Sequence, residues 1–235
     1  MKECLCVSNL VSLLESTCLD MEAACDELTE IDAKSGDGDL GVSVKLGFEA
    51  VRRGLPELAG LAGLDVGTLL MKSGMAFNAA GASTFGTLMA TAFMRAGKVA
   101  KDKSEIDLAD LAEMMKSAVD GIMERGKAVC GERTMLDALV PAQEALTACS
   151  DDSKALGEAL AAAAEAASKG VESTAQMKAK HGRAGWIGKR SEGLPDAGAT
   201  AIAMLLASFS KHYGVIRSES TKNSYPLSEH INENN

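Results

Sequence analysis

Three carboxylates fall within the eight residues Asp32-Ala33-Lys34-Ser35-Gly36-Asp37-Gly38-Asp39, and two glycines lie between them. Glycine permits the tight backbone turns that such crowding needs. In an extended stretch Asp37 and Asp39 face the same way, and Asp32 closes on them from the end of a preceding helix. Such a set suits Mg²⁺, which takes oxygen ligands and usually combines a few carboxylates with substrate phosphates. Two like unit charges 4 Å apart repel by about 4 kcal/mol at an effective dielectric of 20. Carboxylates and a diphosphate therefore share one place only with cations between them, and two Mg²⁺ balance the sum. Asp32, Asp37 and Asp39 are the expected metal ligands. On its own the cluster would read equally as a solvated acidic turn.

Other segments supply its company. Gly81-Ala82-Ser83 opens an apolar helix, and a small-residue helix start offers N–H groups, a hydroxyl and the positive dipole end to an anion. Asp196-Ala197-Gly198-Ala199-Thr200 opens the last helix similarly, with Asp196 as N-cap. Plain capping would account for either one alone. Arg183 and Arg190 occupy a Gly-rich loop, and Arg suits bidentate contact with phosphate. Three lookalikes fail. Gly36 to Gly41 matches GxGxxG, but it follows a helix and carries two Asp that would repel a bare pyrophosphate. An EF-hand needs its glycine and terminal Glu at other offsets. Gly121 to Lys127 spells GxxxxGK, yet Ala128 replaces the required Ser or Thr. His181 has no acid or nucleophile beside it in sequence, and no Ser/His/Asp or Cys/His set is present, so no catalytic side chain is assigned.

The elements that must position these loops are helical. Apolar residues recur every three to four positions, as at Leu10, Leu13, Leu14, Cys18, Met21, Cys25 and Leu28. The pattern predicts an all-α, eight-helix antiparallel up-and-down barrel or bundle with no strand, its helices at 5–30, 41–54, 66–79, 84–101, 107–125, 135–149, 153–179 and 198–212. In such a bundle alternate connections lie at opposite ends. The connections near 55–65, 102–106 and 150–152 are ordinary linkers, whereas those at 35–41, 79–84, 125–135 and 181–200 carry the Asp, Gly and Arg residues. All four fall at one end, so one site is expected there. Residues 1–216 form the expected single domain, and 217–235 a polar, disordered tail.

Composition agrees. Aromatics make up 3% of the 235 residues, which favours helices packed through small side chains over a sheet. The net charge of −9, with no basic stripe, argues against nucleic-acid binding. The first ten residues lack a signal peptide's apolar core, and no apolar run approaches the roughly 20 residues that span a membrane. The six cysteines follow no metal or disulfide spacing. A cytoplasmic protein without membrane partners is expected.

From about residue 5 to 214 the chain resembles the nucleotide-binding L subunit of dihydroxyacetone kinase, also found as the C-terminal domain of single-chain dihydroxyacetone kinases. The resemblance rests on the Asp32/Asp37/Asp39/Gly41 set, Gly81-Ala82-Ser83, Arg125-Gly126-Lys127-Ala128, Thr134-Met135 with Pro141, and a long signature from Ser173 to Thr200. It implies a helical barrel with Mg-ADP or Mg-ATP at one end, two Mg²⁺ on the Asp trio, and nucleotide contacts from Leu40, Gly41, Val42, Ser43, Ala82, Ser83, Gly126, Thr134, Met135, Arg183, Asp196, Ala197 and Gly198. Met135 would lie near the base. It also implies a separate K subunit that binds the sugar, and a phosphoryl donor that is either ATP or a phosphotransferase-system protein recharging bound ADP. Leu40 stands where the family often has His, Ser43 where Asn is common, Thr84 where Gly is usual and Ala197 where Pro is usual. These differences bear on the donor and on the sugar, for which an erythrulose-like ketose is an alternative. A non-catalytic nucleotide-sensing paralogue is the competing reading.

Overall fold

The computed structural model describes residues 3–181 and 193–223. Among them run helices α1 (Val7–Ala23), α2 (Cys25–Ser35), α3 (Leu40–Ala59), α4 (Val66–Ala80), α5 (Thr84–Val99), α6 (Leu108–Gly126), α7 (Leu136–Asp151), α8 (Leu156–Thr174) and α9 (Ala197–Asn223). Each of α3 to α8 packs on the next, α8 packs on α9, and α1 packs on both α3 and α9. Eight long helices thus close into a ring, as the periodicity predicts. α2 is the extra piece. The expected helix 5–30 breaks at Ala24 (φ −76°, ψ 0°), because α2 turns to lie along α3. That turn carries Asp32 towards the start of α3.

Small residues let the helices approach closely. A Cβ on Gly67 would fall 2.5 Å from the Gly97 carbonyl oxygen, so α4 and α5 meet nearly backbone to backbone. Inside, Phe48 and Phe77 pack edge to face with centroids 5.0 Å apart. Burying a side chain of this kind stabilises by about 1.5–3 kcal/mol. Leu13, Leu69 and Leu136 share the same core. Helix ends follow capping chemistry: Asp65 accepts from the Thr68 N–H, and Asp107 and Asp110 form a capping box at α6.

Two further departures have physical causes. Leu5–Cys6 (β1) pairs antiparallel with Glu105–Ile106 (β2). Two residues per strand are too few for alternation to register in sequence, and the pair seals the ring end opposite the Asp-bearing loops by burying Leu5 and Ile106. The last helix runs to Asn223 rather than ending near 212, and 224–235 lie outside the described residues. Its stretch Ala197–Ser218 is long and apolar enough to cross a membrane (mean hydropathy 1.2), contrary to the expectation that no such run exists. In the fold it is a ring member against α8 and α1, and Asp20 of α1 accepts hydrogen bonds from its Ser208 and His212 at 2.9 Å each.

Candidate functional site

The connections α2–α3, α4–α5 and α6–α7 and the described ends of α8–α9 come together at one end of the ring around a cleft of about 470 Å³. In the first, Asp32 sits in the last turn of α2, and its Oδ2 accepts the Leu40 N–H at 3.2 Å across the loop. Gly36 leaves room for it, since a Cβ there would displace the Asp32 carboxylate. Gly38 takes φ +77°, which residues with a Cβ rarely adopt. One carboxylate oxygen from each of Asp32, Asp37 and Asp39 lies within 4.8 Å of the other two. Mg²⁺ binds oxygen at about 2.0–2.1 Å, so this spacing suits ligands shared by one ion or bridging two after small side-chain rotations.

The second connection opens α5. Ser83 is its N-cap, its Oγ accepting from the Gly86 N–H at 3.0 Å. Ala82 and Ser83 both line the cleft, so capping and facing a ligand are compatible here. Phe85, Leu88, Ile122, Ala128 and Met135 give the cleft an apolar part, which fits a flat base as the carboxylates fit metal and phosphate.

The third connection is organised by Asp137, a buried carboxylate that accepts from the N–H groups of Gly131 and Thr134, the latter at 2.7 Å. This fixes Thr134 and Met135 at the cleft and holds Arg133 at φ 59°. Arg133 is 2% exposed and lines the cleft; its Nη2 donates to the Leu194 carbonyl at 2.9 Å, while Nε and Nη1 have no partner. Beside it, Glu132 accepts from the Val129 N–H, from His181 Nε2 at 2.7 Å and from Lys180 Nζ at 3.1 Å, and its carboxyl is held down to about 2 by these contacts in that order.

In the fourth, Asp196 donates its N–H to Thr174 Oγ1 and accepts from the Ala199 N–H, both at 2.8 Å, capping α9. Burial pushes its carboxyl up to about 6. The charges of Asp137 and Asp32 add to that push, and the Ala199 N–H and Arg133 oppose it.

Of the residues expected at the site, Asp32, Asp37, Asp39, Leu40, Ala82, Ser83, Gly126, Thr134, Met135, Asp196, Ala197 and Gly198 all line this cleft. Gly41, Val42 and Ser43 do not. Because α3 already begins at Leu40, they belong to its first turn: Gly41 packs against the Cys25 carbonyl, the Ser43 N–H bonds the Asp39 carbonyl, and Val42 is exposed. Arg183 and Arg190 lie outside the described residues. Arg133, Asp137 and Glu132 were missed. Thr134-x-x-Asp137 has the spacing of a capping pair and could have been read from sequence; nothing in sequence marks Arg133 as buried.

The DAK2 domain model matches residues 34–211. The chain is 35% identical to the ADP-binding subunit DhaL of the PEP-dependent dihydroxyacetone kinase of Escherichia coli, over 76% of this chain and 84% of that one. An ADP-binding subunit DhaL of Listeria innocua is 34% identical over 79% of this chain and 85% of its own. The L-erythrulose 1-kinase of Mycolicibacterium smegmatis is 35% identical over 88% of this chain, which spans only 36% of that enzyme. Among solved structures, the dihydroxyacetone kinase of C. freundii in complex with AMP-PNP and Mg²⁺ superposes with a TM-score of 0.69 at 24% identity. It shares the fold with 90% of this chain, which spans 35% of that one. The helical ring, the cleft at its loop end and these matches together place the chain in the DAK2 domain family.

Proposed function

We propose that the chain is the nucleotide-carrying subunit of a kinase acting on dihydroxyacetone or a related short ketose. ADP or ATP occupies the cleft, and Asp32, Asp37 and Asp39 hold two Mg²⁺ against its phosphates. The observation that carries this reading is the convergence of the three carboxylates within 4.8 Å of one another, at a cleft whose other part is apolar. When bound, the metal supplies charge neutralisation to the phosphates. The chain's own residues bind and orient: Phe85, Leu88, Ile122 and Met135 shelter the base, and the start of α5 at Ser83 faces the anion with its dipole. Gly41, Val42 and Ser43, in the first turn of α3, and Arg183 complete the nucleotide contacts. Residues 1–216 are the kinase domain, and the last helix carries on through 217–223 of the segment beyond it.

The phosphoryl group passes to a sugar held elsewhere: the relatives of matching length are named ADP-binding subunits, and no residue of this cleft is assigned to a triose. We assign the sugar to a separate K-type subunit. The donor is ATP itself, or a phosphotransferase-system protein that recharges bound ADP, and the setting is cytoplasmic. Calorimetric titration of the chain with Mg-ADP tests the reading. Binding that is lost in Asp37→Ala, with the melting temperature of the free protein unchanged, supports it; wild-type affinity in that variant removes the metal assignment.

A further inference from the structure

A buried guanidinium with idle hydrogens needs an explanation. Among the described residues lining the cleft, four are Asp and one, Arg133, is a permanent cation. It is 2% exposed, yet only Nη2 has a partner, the Leu194 carbonyl; Nε and Nη1 have none. Buried polar groups are nearly always hydrogen-bonded, and the exceptions mark strain, an ion or a ligand. The left-handed backbone at Arg133 (φ 59°) is an unfavourable conformation for a residue with a Cβ, held in place by the Asp137 carboxylate on either side of it.

Resting on the nucleotide reading above, we propose that Arg133 is a phosphate-binding residue of the cleft, with Nε and Nη1 donating to oxygens of a nucleoside diphosphate. Three observations favour the phosphates over the base. The Asp196 carboxyl, itself lining the cleft, feels the charges of both Arg133 and Asp32, so the guanidinium and a metal ligand act on the same group. The base finds an apolar wall around Leu88 and Ile122. A permanent cation with N–H groups to spare suits the charged oxygens of a phosphate, and a neutral base edge does not require it. The Leu194 carbonyl and the charge of Asp196 hold the guanidinium in place, and the arriving phosphate supplies acceptors for the N–H groups left unfilled.

The test compares Mg-ADP with adenosine plus Mg²⁺ by calorimetry in the full chain and in Arg133→Met. A phosphate contact predicts an ADP affinity lowered on the order of tenfold to a hundredfold, with adenosine changed less than threefold. Equal losses for both ligands, or no loss, overturn it. Should Arg133→Met not fold, the unsubstituted protein decides through NMR of the Arg133 Nε–H, assigned by its disappearance in Arg133→Lys. That resonance shifts and gains exchange protection with Mg-ADP but not with adenosine if the proposal holds, and is indifferent to ADP if it fails. Absence of Mg-ADP binding to the unsubstituted chain would sink the nucleotide reading and this one together; normal binding that leaves Arg133 unaffected sinks this one alone.

Discussion

Asp32 and Gly36 illustrate how a single atom sets the metal site. The Asp32 carboxylate occupies the space where a Cβ of residue 36 would stand. Gly36→Ala is therefore expected to push it out of the trio and abolish Mg-dependent ADP binding, with the melting temperature of the free protein lowered by less than about 3 °C because no core residue is touched. Calorimetry and a thermal melt check both halves. Asp196 makes a pH prediction. Its folded-state value of about 6 lies above the ordinary 3.8, so between those values the folded state binds more protons than the unfolded one. Stability from this group falls as pH rises through 6. From pH 5 to 7.5 the fall is roughly 1 kcal/mol, or a few degrees. Asp196→Asn, which keeps an N-cap, should flatten that part of the melting profile. A wild-type slope in the variant would show that other groups carry it. Glu132 does not confuse the measurement: its depressed carboxyl adds stability above its ordinary 4.5 that is lost only as pH falls towards 2.

At the scale of elements, two joints matter. Asp20 of α1 accepts from Ser208, Lys211 and His212 of α9 and so pins the seam where the ring closes. Burial pushes its carboxyl up and these donors more than reverse that. Asp20→Ala should lower stability by about 1–2 kcal/mol, some 2–8 °C, without altering nucleotide affinity, since the seam is remote from the residues lining the cleft. The second joint is Glu132, which ties residues 180 and 181 to the α6–α7 connection. Glu132→Ala should weaken Mg-ADP binding several-fold through a looser wall while leaving the fold intact; an unchanged affinity would show that the tie has no bearing on the site. Neither joint was legible in sequence. Asp20 and His212 are separated by 192 positions, because they meet where the first and last helices close the ring.

For the whole molecule, joint binding of metal and nucleotide is the expected behaviour. Carboxylates repel phosphates unless cations stand between, and the cations need the phosphate oxygens to complete their shells. At about 100 times its dissociation constant a ligand adds roughly 2.7 kcal/mol, which for a chain of this size is on the order of 5–10 °C. ADP with Mg²⁺ should give that rise, and ADP with EDTA little; equal shifts would reduce the Asp trio to an acidic turn. The isolated chain should also fail to phosphorylate free dihydroxyacetone at a useful rate, and robust turnover by the pure protein would refute the division of labour.

Local rules were enough for much of this. Apolar spacing of three to four residues located all eight ring helices, because an amphipathic face is a short-range property of sequence. The Asp trio was visible since its members lie within eight residues, and loop parity put the four connections at one end. Tertiary structure decided what depends on distant packing. The break at Ala24 follows from α2 turning onto α3. The place of Gly41, Val42 and Ser43 in a helical turn follows from where α3 starts. The burial of Arg133 follows from the Leu194 carbonyl meeting it across 61 positions. Desolvation of Arg133 and Asp196 is a property of the assembled cleft, and no window of neighbouring residues contains it.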